Sequence, residues 1–505
     1  MIYLKHFTVA ILSLLSCSVV KASNSLEHTV NDLFEVSTGW FVSIIFAPLP
    51  GTHFPWIVLW LVSGAALFTL YFRFVQFRWI RHSFRLVRGD FSNPQDAGEV
   101  SHFQALTTAL SGTVGLGNIA GVAVAISIGG PGATFWMIVA GLLGMASKFV
   151  ECTLAVKYRE EKADGSISGG PMYYLSKGFL ERNLPLGKVL SYLFACFCVL
   201  ASLGGGNMFQ SNQAHQQLAS VLGDFPSWVT GVIFSTVVFL VILGGIKSIA
   251  RITERVVPFM AILYVGTSLY IIIANADALG WAFGQIIEGA FTGLGVTGGM
   301  LGALIQGFKR AAFSNEAGVG SAAIAHAAVQ TKHPITEGLV SLLEPFIDTV
   351  VICTMTALVI IITGQLVIDP DTGLYVLNHA GHIQTTSGTS GVALTSSAFS
   401  SVVGWFPYIL MVSVVLFAFS TMLGWSYYGL KAWTYIFGDG SFSNLVYKVV
   451  FCLFSFLGAV ISLGAVIDFS DAAIFAMAVV NVIGLVLLMP IVKSELDNYA
   501  KEVNK

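Results

Sequence analysis

The segment Ser111-Gly-Thr-Val-Gly-Leu-Gly-Asn-Ile-Ala-Gly121 sets four glycines and one asparagine inside a stretch that is otherwise apolar from Ala105 to Ile128. Residues of these types at that spacing can do one kind of chemistry. Glycine disfavours a helix by about 1 kcal/mol relative to alanine, and backbone left unpaired in hydrocarbon is costly unless it lines a cavity or meets a ligand. Clustered glycines there point to carbonyls and amides turned toward an ion or solute, the broken-helix device of secondary transporters. Asn118 could brace that loop or give an oxygen to a second ion. A second interrupted segment, Phe291-Thr-Gly-Leu-Gly-Val-Thr-Gly-Gly-Met-Leu-Gly302, follows in the other half of the chain.

The elements that must carry such breaks are membrane helices. With 55% apolar and 10% charged residues and a mean hydropathy of +0.79, the 505-residue chain departs from soluble domains, where about 25% of residues are charged. A lipid bilayer is therefore its first partner. The net charge of −2 gives no footprint for nucleic acid, because the basic residues are segregated by position. Cys152, Cys196, Cys198, Cys353 and Cys452 fall in or beside apolar spans and Cys17 in the leader, so neither a disulfide framework nor a metal spacing follows.

Residues 1–23, with Lys5, an apolar stretch from Phe7 to Val20 and a Val-Lys-Ala-Ser end, read as a secretory signal. An uncleaved anchor is the alternative, with the same sidedness. Residues 24–54 form an external segment. Apolar runs long enough to cross lie near 55–75, 103–128, 133–157, 187–208, 227–246, 256–274, 281–308, 337–363, 402–424, 446–466 and 471–492. Arg73, Arg78, Arg81, Arg85 and Arg88, then Lys157, Arg159 and Lys162, then Lys247, Arg251 and Arg255 follow alternate spans. This is the positive-inside pattern, with the N-terminus outside and the C-terminus cytoplasmic. The expected fold is an all-α membrane protein of eleven transmembrane helices. One extra helix with its basic connection (55–102) precedes two oppositely oriented five-helix repeats, 103–280 and 281–492, each opened by a broken helix, and 493–505 form a cytoplasmic tail.

Enzyme chemistry finds no support. Gly115-Leu-Gly-Asn-Ile-Ala120 fits a dinucleotide pattern only without the strand before it and the acidic residue after it that the motif requires. A channel would show filter loops or pore rings. Glu288, Glu344 and Asp348, inside predicted spans, are expected as internal hydrogen-bond partners, with proton coupling as the alternative. Lys309, Arg310, Glu316 and His326 are expected in a cytoplasmic connection after the seventh span, as a gate or a loop fastening rather than a substrate site.

Several motifs in order carry a resemblance: Gly115-Leu-Gly-Asn-Ile-Ala-Gly-Val-Ala123, Gly129-Gly-Pro-Gly-Ala133, Gly169-Gly-Pro-Met-Tyr-Tyr174, Phe313-Ser-Asn-Glu-Ala-Gly-Val-Gly-Ser321 and Phe419-Ser-Thr-Met-Leu-Gly-Trp-Ser-Tyr-Tyr428. From Trp56 to Lys493 the chain resembles the alanine or glycine:cation symporters, also called sodium:alanine symporters. Thr134 and Ile138 depart from the family pattern, in a helix where they touch packing. The resemblance implies a LeuT-type ten-helix core after the extra helix, and sodium-coupled uptake of a small neutral amino acid such as alanine or glycine across the plasma (inner) membrane of a bacterium. The runner-up is proton coupling, against which the span from Val256 to Ile273 lacks a lysine to stand in for sodium.

The resemblance also implies a sodium site between the first core helix and the eighth. Its ligands would be the carbonyls of Ser111, Val114 and Phe417 and the hydroxyls of Ser420 and Thr421, with Asn118 as a possible further ligand. Carbonyl and hydroxyl oxygens suit such a hard cation. Simple back-bonding to the preceding turn would also explain Ser420 and Thr421. For the amino acid, the resemblance implies main-chain groups at Thr113, Gly115 and Gly117 facing its carboxylate, with Gln210, Thr421 and Trp425 completing the pocket. Trp425 could instead be an interfacial tryptophan.

Overall fold

The computed structural model describes residues 32–503 apart from 92, 94, 163–164, 224 and 293–298, with the side chains of 246 and 247 also outside the description. The leader expected at 1–23 and most of the glycine-rich break expected at Phe291–Gly302 thus lie outside the described residues.

A helix over 32–45 (α1) leads into α2 (Trp56–Tyr71), which bears no charged residue. Arg73 and Phe74 turn through left-handed backbone, and α3 (Val75–Arg88) leaves at 76° to α2. Four arginines on α3, at 78, 81, 85 and 88, suit a helix lying along a membrane surface. Ser101 opens α4 (His102–Thr113) with a reciprocal capping box to Gln104, satisfying donors that a helix start leaves bare. A π turn at Gly117–Gly121 resumes the path into α5 (Val122–Gly129), bent 52° from α4.

The 26-residue α6 (Gly132–Lys157) follows, then a two-stranded hairpin of β1 (Glu160–Glu161) and β2 (Ile167–Ser168). Helix α7 (Gly187–Leu203) continues through a π turn at Gly204–Met208 into α8 (Phe209–Leu222). Next come α9 (Ser227–Ile242), α10 (Gly245–Ala274), α11 (Leu279–Thr292) and α12 (Gly299–Asn315). After the short α13 (Ala322–His326), α14 (Pro334–Ser341) runs through a π segment at Phe346–Cys353 into α15 (Thr354–Ile362). The loop 364–391 docks its Ile383 N–H on the Ser127 carbonyl at 2.7 Å, and α16 (Val392–Val402) follows. The chain ends with α17 (Phe406–Phe437), α18 (Ser441–Val460) and the 41-residue α19 (Leu463–Val503).

Two groups of helices share the interior. α6 packs on α12 and α14, whereas α17 packs on α7 and α9 on α18, with α4 lying against α17. Among the described residues seven helices are long and apolar enough to cross a bilayer, or nine if each of two bent pairs is one span. Of the expected spans, 227–246 falls on α9, with 16 residues, and 281–308 on α11 and α12, with 14 and 17 residues on either side of 293–298, so neither is in this set.

Two boundaries differ from expectation. Arg251 and Arg255 lie within α10 rather than in a loop, and α19 runs through the expected tail as far as Val503. Hydropathy marks where lipid-compatible residues stop, while the helix continues wherever its polar turns find partners. Lys493 pairs with Asp497 one turn on, and Glu495 with Lys157 of α6.

Candidate functional site

α4 stops at Thr113 because the next amides are drawn elsewhere. The Gly115 N–H donates to Asn118 Oδ1 at 2.8 Å and the Leu116 N–H to Gln210 Oε1 at 3.2 Å, so the Ser111 and Gly112 carbonyls lose their i+4 donors. Asn118 in turn donates through Nδ2 to the Asp348 carboxylate at 2.6 Å and to its carbonyl at 3.0 Å. Both amide atoms of Asn118 are therefore engaged in bracing the loop, the first of its two expected roles. Gln210 spends its Nε2 on the Gly205 carbonyl at 2.9 Å, tying the π turn ahead of α8 to the break. Gly115 must be glycine: a Cβ there would overlap the Thr421 hydroxyl.

Facing this break is a second helix end, beyond the segment Phe291–Gly302 where the sequence places its second interruption. α12 ends at Asn315, and Glu316, Gly318 and Gly320 adopt left-handed φ of 55°, 84° and 92° before α13 begins. The Asn315 carboxamide caps this end, accepting from the Ala317 N–H at 2.9 Å, and Asn481 of α19 donates to the Gly318 carbonyl at 2.9 Å. Ser314 donates to Asp348 Oδ2 at 2.9 Å. One carboxylate on the π segment thus holds both helix ends.

Between them lies a small cavity of about 10 Å³, space for about one water, lined by Gly112, Thr113, Gly117, Gly205, Gln210, Phe313, Glu316, Trp425 and Ile474. Trp425 is 1% exposed and donates its indole N–H to Glu316 at 2.9 Å, so it is a wall of the cavity and not an interfacial residue. Gly206 gives it room, since a Cβ at that position would overlap the ring.

Beside the cavity α17 touches α4 closely: Gly424 lies against the backbone of Gly112 and the Ser111 hydroxyl. Ser420 donates to the Phe417 carbonyl at 3.0 Å and lies 3.4 Å from Met260 Sδ. Thr421, 2% exposed, has a hydroxyl with no hydrogen-bond partner among the described residues. The structure therefore joins Thr113, Gly117, Gln210 and Trp425 at one cavity and sets Gly115 against Thr421. Ser111 and Val114 lie at the end of α4, which packs on α17, the helix of Phe417, Ser420 and Thr421.

Of the four ionisable residues expected in a cytoplasmic connection, Arg310, Glu316 and His326 are buried and Lys309 is half-buried. Arg310 pairs with Asp471 of α19, joined by Lys309 Nζ at 2.9 Å. His326 pairs with Glu337, which also receives His102, and Glu316 lines the cavity. Lys148 and Glu151, inside α6, were not singled out from sequence. Lys148 lies 3.1 Å from Glu344 and 3.8 Å from Glu151, all fully buried. The available signal was a lysine and an acid three residues apart within an apolar span, a placement that needs partners.

Two interrupted helices meeting at a small buried cavity define a secondary transporter of the LeuT type. In fold alone, the chain superposes on the crystal structure of MhsT in complex with L-phenylalanine with a TM-score of 0.56, over 78% of this chain and 89% of that one, at 14% identity. The chain belongs to the sodium:alanine symporter family, whose model matches residues 31–505. The sodium/alanine symporter AgcS of Methanococcus maripaludis is 40% identical over 90% of this chain and 96% of its own. The amino-acid carrier protein AlsT of Bacillus subtilis is 32% identical over 92% and 93%. The protein is thus a multi-pass amino acid:cation symporter and not an enzyme.

Proposed function

We propose that the chain couples entry of sodium to uptake of a small neutral amino acid, alanine or glycine, by alternating access across the plasma membrane. In this reading it has eleven spans, the last ten forming two inverted repeats, with the N-terminus outside and the arginines of α3 inside. The observation that carries the ion assignment is Thr421, whose buried hydroxyl lacks a partner beside the break. A buried hydroxyl without a hydrogen bond costs about 1–3 kcal/mol, a penalty that a cation would remove. The ligands are then the carbonyls of Ser111, Val114 and Phe417 with the Ser420 and Thr421 hydroxyls, on a helix C-terminus whose partial charge favours a cation. Met260, a thioether against Ser420, supplies no charge that could replace sodium, which speaks against proton coupling at this position.

The solute enters the cavity with its carboxylate toward the main chain at Thr113, Gly115 and Gly117, competing with Asn118 and Gln210 for the loop amides. Trp425, Phe313 and Ile474 close around the solute as the cavity opens to admit it and limit its side chain to a hydrogen or a methyl group. One sodium entering down 100 mV supplies about 2.3 kcal/mol, roughly fifty-fold accumulation at about 1.36 kcal/mol per tenfold. The test is uptake of labelled alanine into proteoliposomes under imposed sodium, lithium or proton gradients. Sodium is expected to drive accumulation; uptake driven by protons alone would overturn the ion assignment.

A further inference from the structure

The cavity holds a charge that the symport reading leaves unexplained. Of its lining residues Glu316 is the single ionisable one, and it is 2% exposed. Its carboxylate accepts from two neutral donors, the Trp425 indole N–H and the Ser321 hydroxyl. Among the described residues no lysine, arginine or histidine nitrogen reaches it within ion-pair distance. The buried cations of this region are engaged elsewhere, Lys148 by Glu344 and Glu151 and Arg310 by Asp471. A carboxylate buried without a counter-charge carries a large desolvation penalty. Its backbone is also held at φ 55°, a conformation that a non-glycine residue keeps only when its surroundings enforce it, often at a binding site.

We propose that Glu316 recognises the α-ammonium group of the transported amino acid, so that a free cationic amine is a condition of transport. This rests on reading the cavity as the amino-acid site. The substrate itself supplies the missing counter-ion, while its carboxylate turns to the amide-rich loop of the first break. The 2-hydroxy acid of the same skeleton, L-lactate, matches alanine in size but leaves two anions facing each other. The site rejects it by charge, not by size.

The experiment is equilibrium binding of labelled L-alanine to the purified full-length protein with sodium, competed by unlabelled alanine or L-lactate. Wild type is compared with Glu316→Gln, Glu316→Asp and Ser321→Ala. In Glu316→Gln, alanine affinity is expected to fall about 100-fold or more, the scale of removing one partner of a buried ion pair, and the alanine-over-lactate ratio to collapse. Glu316→Asp, which keeps the charge, is expected to retain most of that ratio. Ser321→Ala, which removes a local bond and keeps the carboxylate, should change it only a few-fold. An unchanged ratio in Glu316→Gln, or an equal loss in Ser321→Ala or Glu316→Asp, would mean a loop fastening and overturn the proposal alone. Wild-type protein that binds no α-amino acid would overturn the functional reading together with it.

Discussion

Thr421 and Gly115 face each other across the first break, and each makes a demand on the other. Replacing Thr421 with alanine removes one of two proposed hydroxyl ligands while leaving α17 buried as before. Sodium activation of alanine uptake is expected to shift at least about tenfold to higher concentration, the effect of losing about 1.4 kcal/mol of binding, and Thr421→Ser should restore it. A sodium activation curve unchanged in Thr421→Ala would remove this residue from the ion site. At Gly115 a leucine side chain would drive into the Thr421 hydroxyl, since even a Cβ overlaps it. Gly115→Leu should abolish uptake in protein that still inserts, and wild-type rates in that variant would assign the glycine to helix packing alone.

Among the elements, the π segment Phe346–Cys353 has the widest reach, because its Asp348 accepts from Asn118 on one break and from Ser314 beside the other, with Thr349 as third donor. Asp348→Ala should leave three buried donors bare, at about 1–3 kcal/mol each, and lower the thermal unfolding midpoint in detergent well beyond Thr349→Val. Equal midpoints for the two variants would show that the carboxylate does not anchor the helix ends. The first break was legible in sequence because its glycines interrupt an otherwise apolar run. The helix end at Asn315-Glu-Ala-Gly-Val-Gly320, where capping and left-handed backbone end α12, was not legible, because it lies beyond the glycine-rich segment from Phe291 to Gly302, most of which falls outside the described residues. Glu316 and Arg310 looked like loop residues because charge is cheap in loops, and only the tertiary structure shows the partners that let them be buried.

For the whole molecule, buried ion pairs on different helices matter more than the surface ones. Lys148 of α6 and Glu344 at the end of α14 are fully buried, and removing one partner of such a pair costs about 3–5 kcal/mol. Lys148→Met should therefore destabilise the fold strongly, while Lys148→Met combined with Glu344→Leu should recover much of the loss. Lys162 and Asp439 pair at 2.7 Å with 34% and 56% of their side chains exposed, and Lys162→Ala should cost about 0–1 kcal/mol. Thermal unfolding of the three variants would rank these effects, and equal shifts for Lys148→Met and Lys162→Ala would contradict the burial argument. Hydropathy windows averaged these charges into apolar spans, which is why the span pattern was readable and the polar fastenings were not.

Return to the one acid that both unwound stretches share. If the cation sits by one and the solute by the other, neither passenger's berth can be remodelled while its neighbour's stays fixed, because the same anchor must yield. Passengers would then board and leave as a pair, and a carrier with that anchor cut should slip, passing sodium inward with no amino acid aboard.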